Sequence, residues 1–275
     1  MKTKNTVVVL TTSNENLYDQ RFFEPIGPND EILLEYTIFD AIEAGFEKII
    51  LIASNDVKNF IRQGINEKFK RFVEIHWVSI DPMSFFQLGH RIPYSLFSHN
   101  CYALWKAKKY INGPFLAVNG RFYHGKEIYR EALGFMNSNK DEFAVINSPL
   151  SITLSNYGGV DRSICLTQGE TDALRRLVEV KKVRRRNLFL EHQDKNPIEL
   201  SEQMLATTGV YCLNNSFFGA YKAYLSSLTK GNSKRKITIP TLINFYLRQK
   251  MCKACLLYTS PSPRDGATSR MPSSA

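Results

Sequence analysis

Apolar positions in the first half of the chain fall into alternating short and long patterns. Thr6–Leu10 is almost continuously apolar, as expected of a strand buried on both faces of a parallel sheet. Over Glu31–Gly45 the residues Ile32, Leu33, Tyr36, Ile38, Phe39 and Ile42 make a broad apolar stripe, which predicts a helix stopped at Gly45. The same reading gives a strand at Lys48–Ala53, a helix at Asp56–Phe69 and a strand at Val73–Ile80. A helix at Asn100–Ile111 and a strand at Phe115–Asn119, ending in a turn, complete the series.

The second half is more mixed. Phe143–Ser148, Val160–Thr167 and Leu174–Val183 have strand patterns, and Ser155-Asn156-Tyr157-Gly158-Gly159 is turn chemistry. A charged loop is expected after Leu174–Val183. Phe217–Leu228 and Ile239–Arg248 read as helices, the second entered at Pro240. The order β-α-β-α-β followed by paired strands predicts an α/β fold. Its form should be a Rossmann-like open, mostly parallel sheet flanked by helices, with a small antiparallel patch in the second half and ligands at the strand C-terminal ends.

Composition adds exclusions. The chain of 275 residues is 43% hydrophobic and 23% charged, an ordinary globular balance, and no run approaches the ~18 apolar residues of a membrane span. No membrane association is expected. Five cysteines do not make a disulfide framework, and the run at Val7–Leu10 is too short for a signal-peptide core, so a reduced, cytoplasmic setting is expected.

The last 21 residues break the pattern. Cys255–Asp265 and Ser269–Ala275 read, in one frame, as a translated transposase-type sequencing adapter and its flow-cell primer end, with Gly266–Thr268 between them. The expectation is a single native domain over 1–254, cut short, followed by a non-native tail over 255–275. The Cys252/Cys255 pair then has no chemical meaning. Without that tail, which carries two Arg and one Asp, the net charge falls from +10 to +9.

Specific motifs go further. Glu24-Pro25-Ile26-Gly27-Pro28-Asn29-Asp30-Glu31, then Tyr36-Thr37-Ile38-Phe39-Asp40-Ala41-Ile42-Glu43-Ala44-Gly45-Phe46, resemble the D-P-V-G-P-N-G-E and Y-S-I-Y-D-A-I-x-A-G-F stretches of sugar-1-phosphate nucleotidyltransferases of the glucose-1-phosphate uridylyltransferase type. Gly125-Lys126-Glu127, Leu154-Ser155 with Gly158, Val178-Glu179 and Thr208-Gly209-Val210-Tyr211 continue the resemblance in order, from about Thr6 to Lys250. It implies a domain that joins a nucleoside triphosphate to a sugar-1-phosphate. Such chemistry rests on positioning and charge neutralisation, with Mg²⁺ held by carboxylates.

The resemblance fails where that chemistry is done. The family's L-A-A-G-x-G-S-R loop is here Leu10-Thr11-Thr12-Ser13-Asn14-Glu15-Asn16-Leu17, without either glycine. Thr11, Thr12 and Ser13 are the candidate nucleotide contacts left there, and Arg21 falls near the family's Lys. The metal-binding N-A-D-D-F-Y-G becomes Asn119-Gly120-Arg121-Phe122-Tyr123-His124-Gly125, placing a cation and an aromatic ring where Mg²⁺ needs oxygen donors. No D-x-D replaces it, so no metal ligand is assigned, and Arg121 is a candidate cationic clamp on phosphate. His124 is expected to be structural. The base-contacting G-T-G-H-A becomes His99-Asn100-Cys101-Tyr102-Ala103, with Asn100 as the candidate contact. On the sugar side, Gly158 and Glu179 match family positions, and Thr208 stands where the family often has Asn or Asp.

The expectation is therefore a nucleotidyltransferase-fold protein with impaired catalysis that binds a nucleotide or sugar phosphate, with a protein partner as a further candidate. The alternative is an active enzyme with rebuilt loops, in which Arg21 and Arg121 clamp phosphate and Mg²⁺ is required. A third reading, polyanion or nucleic-acid binding through Lys181–Arg186, is weaker, because such runs are usually solvated loops and the aromatics are not interleaved with basic residues. Nucleic acid is not the expected partner.

Overall fold

The computed structural model describes residues 3–11, 24–81, 98–169, 171, 173–186, 189–193, 198–229, 236–249 and 254–258. The first half follows the predicted alternation closely. Strand β1 (Thr6–Leu10) leads to α1 (Leu33–Ala44), β2 (Lys48–Ser54), α2 (Asn55–Phe69) and β3 (Glu74–Ile80). Next come α3 (His99–Ala107) and β4 (Phe115–Asn119). Helix α1 ends at Gly45 because its φ of 99° reaches the left-handed region, and α2 starts where Ser54 accepts the Val57 N–H at 3.3 Å. The predicted helix to Ile111 is shorter: α3 stops at Ala107 and tightens into a 3₁₀ turn over Lys108–Tyr110.

Three elements of the second half go beyond the sequence reading. Helix α4 (Lys126–Ser138) follows Gly125, β8 (Phe189–Glu191) forms a short hairpin partner, and β9 (Leu205–Leu213) is the central antiparallel strand. The others are β5 (Phe143–Pro149), β6 (Val160–Thr167), β7 (Leu174–Arg186), α5 (Ser216–Thr229) and α6 (Ile239–Arg248). The expectation of a charged loop after Val183 is corrected, because Lys181–Arg186 is part of β7. Val183 is buried in a small core, and the arginines that follow it reach acidic partners: Arg184 and Arg186 reach Glu191, and Arg185 reaches Glu202. Lys182 takes a φ of 52°, and its N–H donates to Asp161 Oδ1 at 2.9 Å, marking a bulge that turns the strand.

The strands form one mixed sheet in the order β3-β2-β1-β4-β9-β6-β7-β8, with β5 on the other side of β9. The pairs β1–β2, β2–β3 and β1–β4 are parallel, and β4, β5 and β6 all run antiparallel to β9. Strand β10 (Ala254–Tyr258) pairs in parallel with β5; four of its five residues belong to the stretch that reads as adapter. Both faces of the parallel region are covered. Val8, Leu10, Ile50, Ile52, Phe115 and Ala117 pack under α3, α5 and α6. Val7, Val9, Ile49, Leu51, Leu116 and Val118 pack under α1, α2 and α4. Burial on both faces explains why these strands are apolar without alternation.

The sharing of one strand edge positions the site. Strands β4 and β6 share the same edge of β9, β4 along Val210–Leu213 and β6 along Ala206–Thr207. Thr208 and Gly209 lie between them. The β6–β7 hairpin therefore begins where β4 ends, carrying the second half of the chain across the C-terminal rim of the parallel strands.

Candidate functional site

Strand order reverses between β1 and β4, the place where open α/β sheets bind ligands. Thr11 leaves β1 with its N–H and its hydroxyl both donating to the Ile52 carbonyl, at 3.2 and 2.6 Å. That hydroxyl is used to hold the exit of β1 against β2. Thr12, Ser13 and Arg21, the other candidates of the first loop, lie outside the described residues. Asn100 sits half-buried in the first turn of α3.

Asn119 organises the turn after β4. Its Oδ1 accepts the Arg121 N–H at 3.1 Å, its carbonyl accepts His124 Nε2–H at 2.8 Å, and the Gly120 N–H donates to the Leu10 carbonyl at 2.9 Å. Burial pulls His124 down to about 4, so it is a neutral structural pin at neutral pH. The Phe122 ring lies 5.6 Å from the Arg162 guanidinium. Arg162 is buried, donates through Nε to the Thr153 carbonyl at 3.0 Å and through Nη1 to the Asp161 carbonyl at 2.8 Å. Burial lowers it to about 10, which leaves it charged at neutral pH.

Across from Asn119, β9 bulges. Its register against β5 shifts between Ile146/Val210 and Ser148/Ala206, and Gly209 takes a φ of 101°. The Thr207 hydroxyl accepts both the Gly209 N–H at 3.2 Å and the Val210 N–H at 3.4 Å, satisfying amides that the bulge removes from the ladder. A Cβ on Gly209 would lie 3.2 Å from Asn119 Cβ, so a side chain here would require Asn119 to give by a few tenths of an ångström. Thr208, the expected sugar-side residue, is in this bulge.

Glu179 is reached by continuing across the hairpin. Thr207 pairs with Ser163 on β6, and Ser163 with Glu179 on β7, which puts Glu179 two strand spacings, ~10 Å, from the bulge. The Thr238 hydroxyl, which caps α6, donates to Glu179 Oε2 at 2.7 Å. Desolvation raises the Glu179 carboxyl above its usual range, while Thr238, Lys236 and Lys181 oppose the rise. The side chain is nevertheless exposed at the surface. Its charge in turn helps raise Tyr211, whose hydroxyl is bonded to Ser163, and Cys101 in the first turn of α3; desolvation is the larger cause for both.

Asn119, the β9 bulge, Ser163, Glu179 and the start of α6 therefore form one continuous rim. Gly158 is set apart from it. It closes the exposed Ser155–Gly158 turn at the head of β6, with a φ of 155° and open space around it, roughly 15 Å along the strand from Ser163. Thr207, Ser163 and Thr238 are absent from the sequence-based candidates. The signals were present: a threonine ahead of Pro240 is a helix cap, and Thr-Thr-Gly inside an apolar run is a bulge.

The residues at the end of β4 do not fit the Mg²⁺ that the resemblance implies. Arg121 is a cation, and the Phe122 ring is turned to another cation. Among the described residues no group of three or more His, Cys, Asp or Glu side chains could hold a metal ion. What the rim offers is a cation pinned by its backbone, a carboxylate and several hydroxyls.

No family model and no curated protein matches the sequence. Solved structures do match. The inositol-1-phosphate CTP transferase of T. maritima superposes with a TM-score of 0.58 at 12% identity, over 97% of this chain and 93% of that one. UDP-glucose pyrophosphorylase from Acinetobacter baumanii gives 0.54 at 15% identity, over 93% and 86%. A UDP-glucose pyrophosphorylase complexed with UDP-glucose gives 0.54 at 15%, over 92% and 90%. At such identities the likeness concerns architecture, and the chain has the α/β nucleotidyltransferase fold of the sugar-nucleotide pyrophosphorylases.

Proposed function

We propose that the protein binds a nucleotide or sugar phosphate at the rim formed by β4, β9, β6 and β7, and does not carry out the Mg²⁺-dependent transfer that the resemblance implies. The observation that carries this reading is the Asn119 turn. It holds Arg121 by a backbone bond at the position of the resembled metal-binding Asp, on the same rim as a carboxylate that accepts the Thr238 hydroxyl, two strand spacings beyond the bulge. A guanidinium can neutralise phosphate directly, and Glu179 with Thr238 can receive sugar hydroxyls. Arg21, Thr12, Ser13, Asn100, Gly158 and Thr208 complete the proposed contacts. Cys101, Cys165 and Cys212 are buried and outside any disulfide, in keeping with the reducing, cytoplasmic setting of this reading. Among the described residues no helix is long and apolar enough to cross a membrane.

The test is thermal unfolding with nucleoside triphosphates, nucleotide sugars and sugar-1-phosphates, each with and without Mg²⁺, together with a pyrophosphate-release assay. A ligand at a hundred times its Kd should add ~2.7 kcal/mol, a rise of roughly 5–10 °C. Arg121→Ala should remove most of that rise. Mg²⁺-dependent pyrophosphate release, lost in Arg121→Ala, would replace this reading with an active transferase using Arg21 and Arg121 as clamps. A folded sample that responds to no ligand would leave a scaffold for a protein partner.

A further inference from the structure

Arg162 is a buried charge with no part in the proposed ligand contacts. It stands opposite Val180 on β7, and Ile164, two residues on, shares its face of the sheet, so the position belongs to the margin of the small core around Ile164, Val180 and Val183. An apolar side chain is the cheap occupant of such a place. A guanidinium 8% exposed carries a desolvation cost that a carboxylate partner usually offsets. Among the described residues Arg162 makes no ion pair: Asp161 lies close enough to act on its charge, but the Asp161 carboxylate accepts the Lys182 N–H at 2.9 Å.

The guanidinium is spent instead on backbone and on a ring. Nε and Nη2 both donate to the Thr153 carbonyl, Nη1 donates to the Asp161 carbonyl, and the Phe122 centroid lies 5.6 Å away. Thr153 ends a 3₁₀ turn over Leu150–Thr153 that hangs from the segment leading into β9, with Leu150 N–H on the Met204 carbonyl at 2.7 Å and Ser151 N–H on the Glu202 carbonyl at 3.0 Å. Pairing of β6 with β9 begins at Ser163, so Arg162 stands where β6 parts from β9. It joins the 150–153 turn, its own strand and the Asn119–Gly125 turn. The last of these is held at its two ends, by the Gly120 N–H on the Leu10 carbonyl and by His124 on the Asn119 carbonyl. Between those ends Arg121 and Phe122 are successive residues, so fixing the Phe122 ring fixes the backbone from which Arg121 leaves.

We propose that Arg162 is a positioning residue: anchored on the Thr153 and Asp161 carbonyls, it holds the Phe122 ring and so sets the turn that presents Arg121. The inference rests on the reading above for the ligand, a phosphate, and makes the placement of its cation depend on a buried charge from the second half of the chain.

Phe122→Leu and Phe122→Tyr test this in the full chain; Phe122 is 38% exposed, so its ring can be replaced without threatening the core. Amide hydrogen exchange of the ligand-free protein should speed about five- to tenfold at Gly120, Arg121 and Phe122 in Phe122→Leu, with β4 and β6 unchanged, as a partly desolvated cation–π contact is lost. Phe122→Tyr keeps the ring face and should exchange as the wild type does. Arg162→Met should match Phe122→Leu at these amides if it folds, and the two changes together should add nothing. Calorimetric titration with UDP should show binding weaker by about three- to tenfold in Phe122→Leu, restored in Phe122→Tyr, and no added loss when Phe122→Leu is made in Arg121→Ala. Unchanged exchange in Phe122→Leu, or equal acceleration in Phe122→Tyr, would overturn the role given to Arg162. So would a full additional loss of affinity in the double variant with Arg121→Ala, because Phe122 would then meet the ligand itself. A wild type that does not bind UDP would overturn the ligand reading alone, and exchange at those amides would still decide the role of Arg162.

Discussion

Replacing Gly209 by alanine probes the junction on which the whole site depends. With φ at 101°, the residue occupies a region that costs an L-amino acid ~1–2 kcal/mol. The new methyl would also lie 3.2 Å from Asn119 Cβ and 3.6 Å from its Nδ2, so the neighbouring strand has to yield; tight insertions of this kind cost ~1–3 kcal/mol. Together these give about 3 kcal/mol, or a Tm lower by roughly 6–12 °C for a domain of this size. The two contributions can be separated. Asn119→Gly removes the Cβ that the new methyl would strike but leaves the backbone strain, so a double-mutant cycle in urea should recover about half of the loss as coupling. Because Asn119 Oδ1 holds the Arg121 N–H, the Gly209→Ala variant should also bind UDP more weakly than its stability alone explains. A loss of less than ~1 kcal/mol in Gly209→Ala, or no coupling with Asn119→Gly, would refute the close approach of β9 and β4.

Two further outcomes are expected from the same geometry. Burial raises the Glu179 carboxyl, so the folded protein holds that proton more tightly than the unfolded chain, and this residue's contribution falls as pH rises past the ordinary carboxylate value. Because the side chain is exposed, solvent screens much of this effect. Glu179→Gln should raise Tm only slightly at pH 7–8 and flatten its change between pH 4 and 8, while weakening ligand binding, and a lower Tm at pH 7 would contradict the assignment. Asn244 clamps the open edge of β7, donating to the Leu177 carbonyl and accepting the Leu177 N–H, each at 2.8 Å. Asn244→Ala should cost ~1–3 kcal/mol in urea unfolding, since both backbone groups lose their partner.

The elements legible in the sequence pattern are those whose burial is set by a single period. β1, β4, α1 and α6 appear where the apolar runs, Gly45 and Pro240 place starts and stops. β9 goes unassigned because Thr207, Thr208 and Gly209 interrupt the apolar run of what is one strand. The Lys181–Arg186 run reads as a loop because its charge conceals the burial of Val183 and the acids waiting on β8 and the segment before β9. Helix α4 carries its apolar residues, Ile128, Tyr129, Ala132 and Met136, at helical spacing, a signal present in the sequence that the pattern reading passes over.

Of the site, the residue types are legible and their company is not. The exchange of acid for Arg121 and the loss of both loop glycines are written in the chain, because a missing ligand or a missing φ range needs no coordinates to be seen. That Asn119 meets Gly209, that Thr207 and Ser163 lead to Glu179, and that Thr238 holds its carboxylate follow from strands far apart in sequence sharing one edge of β9. Register and edge sharing are set by packing between distant segments, and a local pattern carries no information about which strand will lie beside which. Local pattern is enough for the alternating parallel half and for the chemistry that is absent. Where the remaining charges and hydroxyls meet is settled by the packing of distant strands against β9.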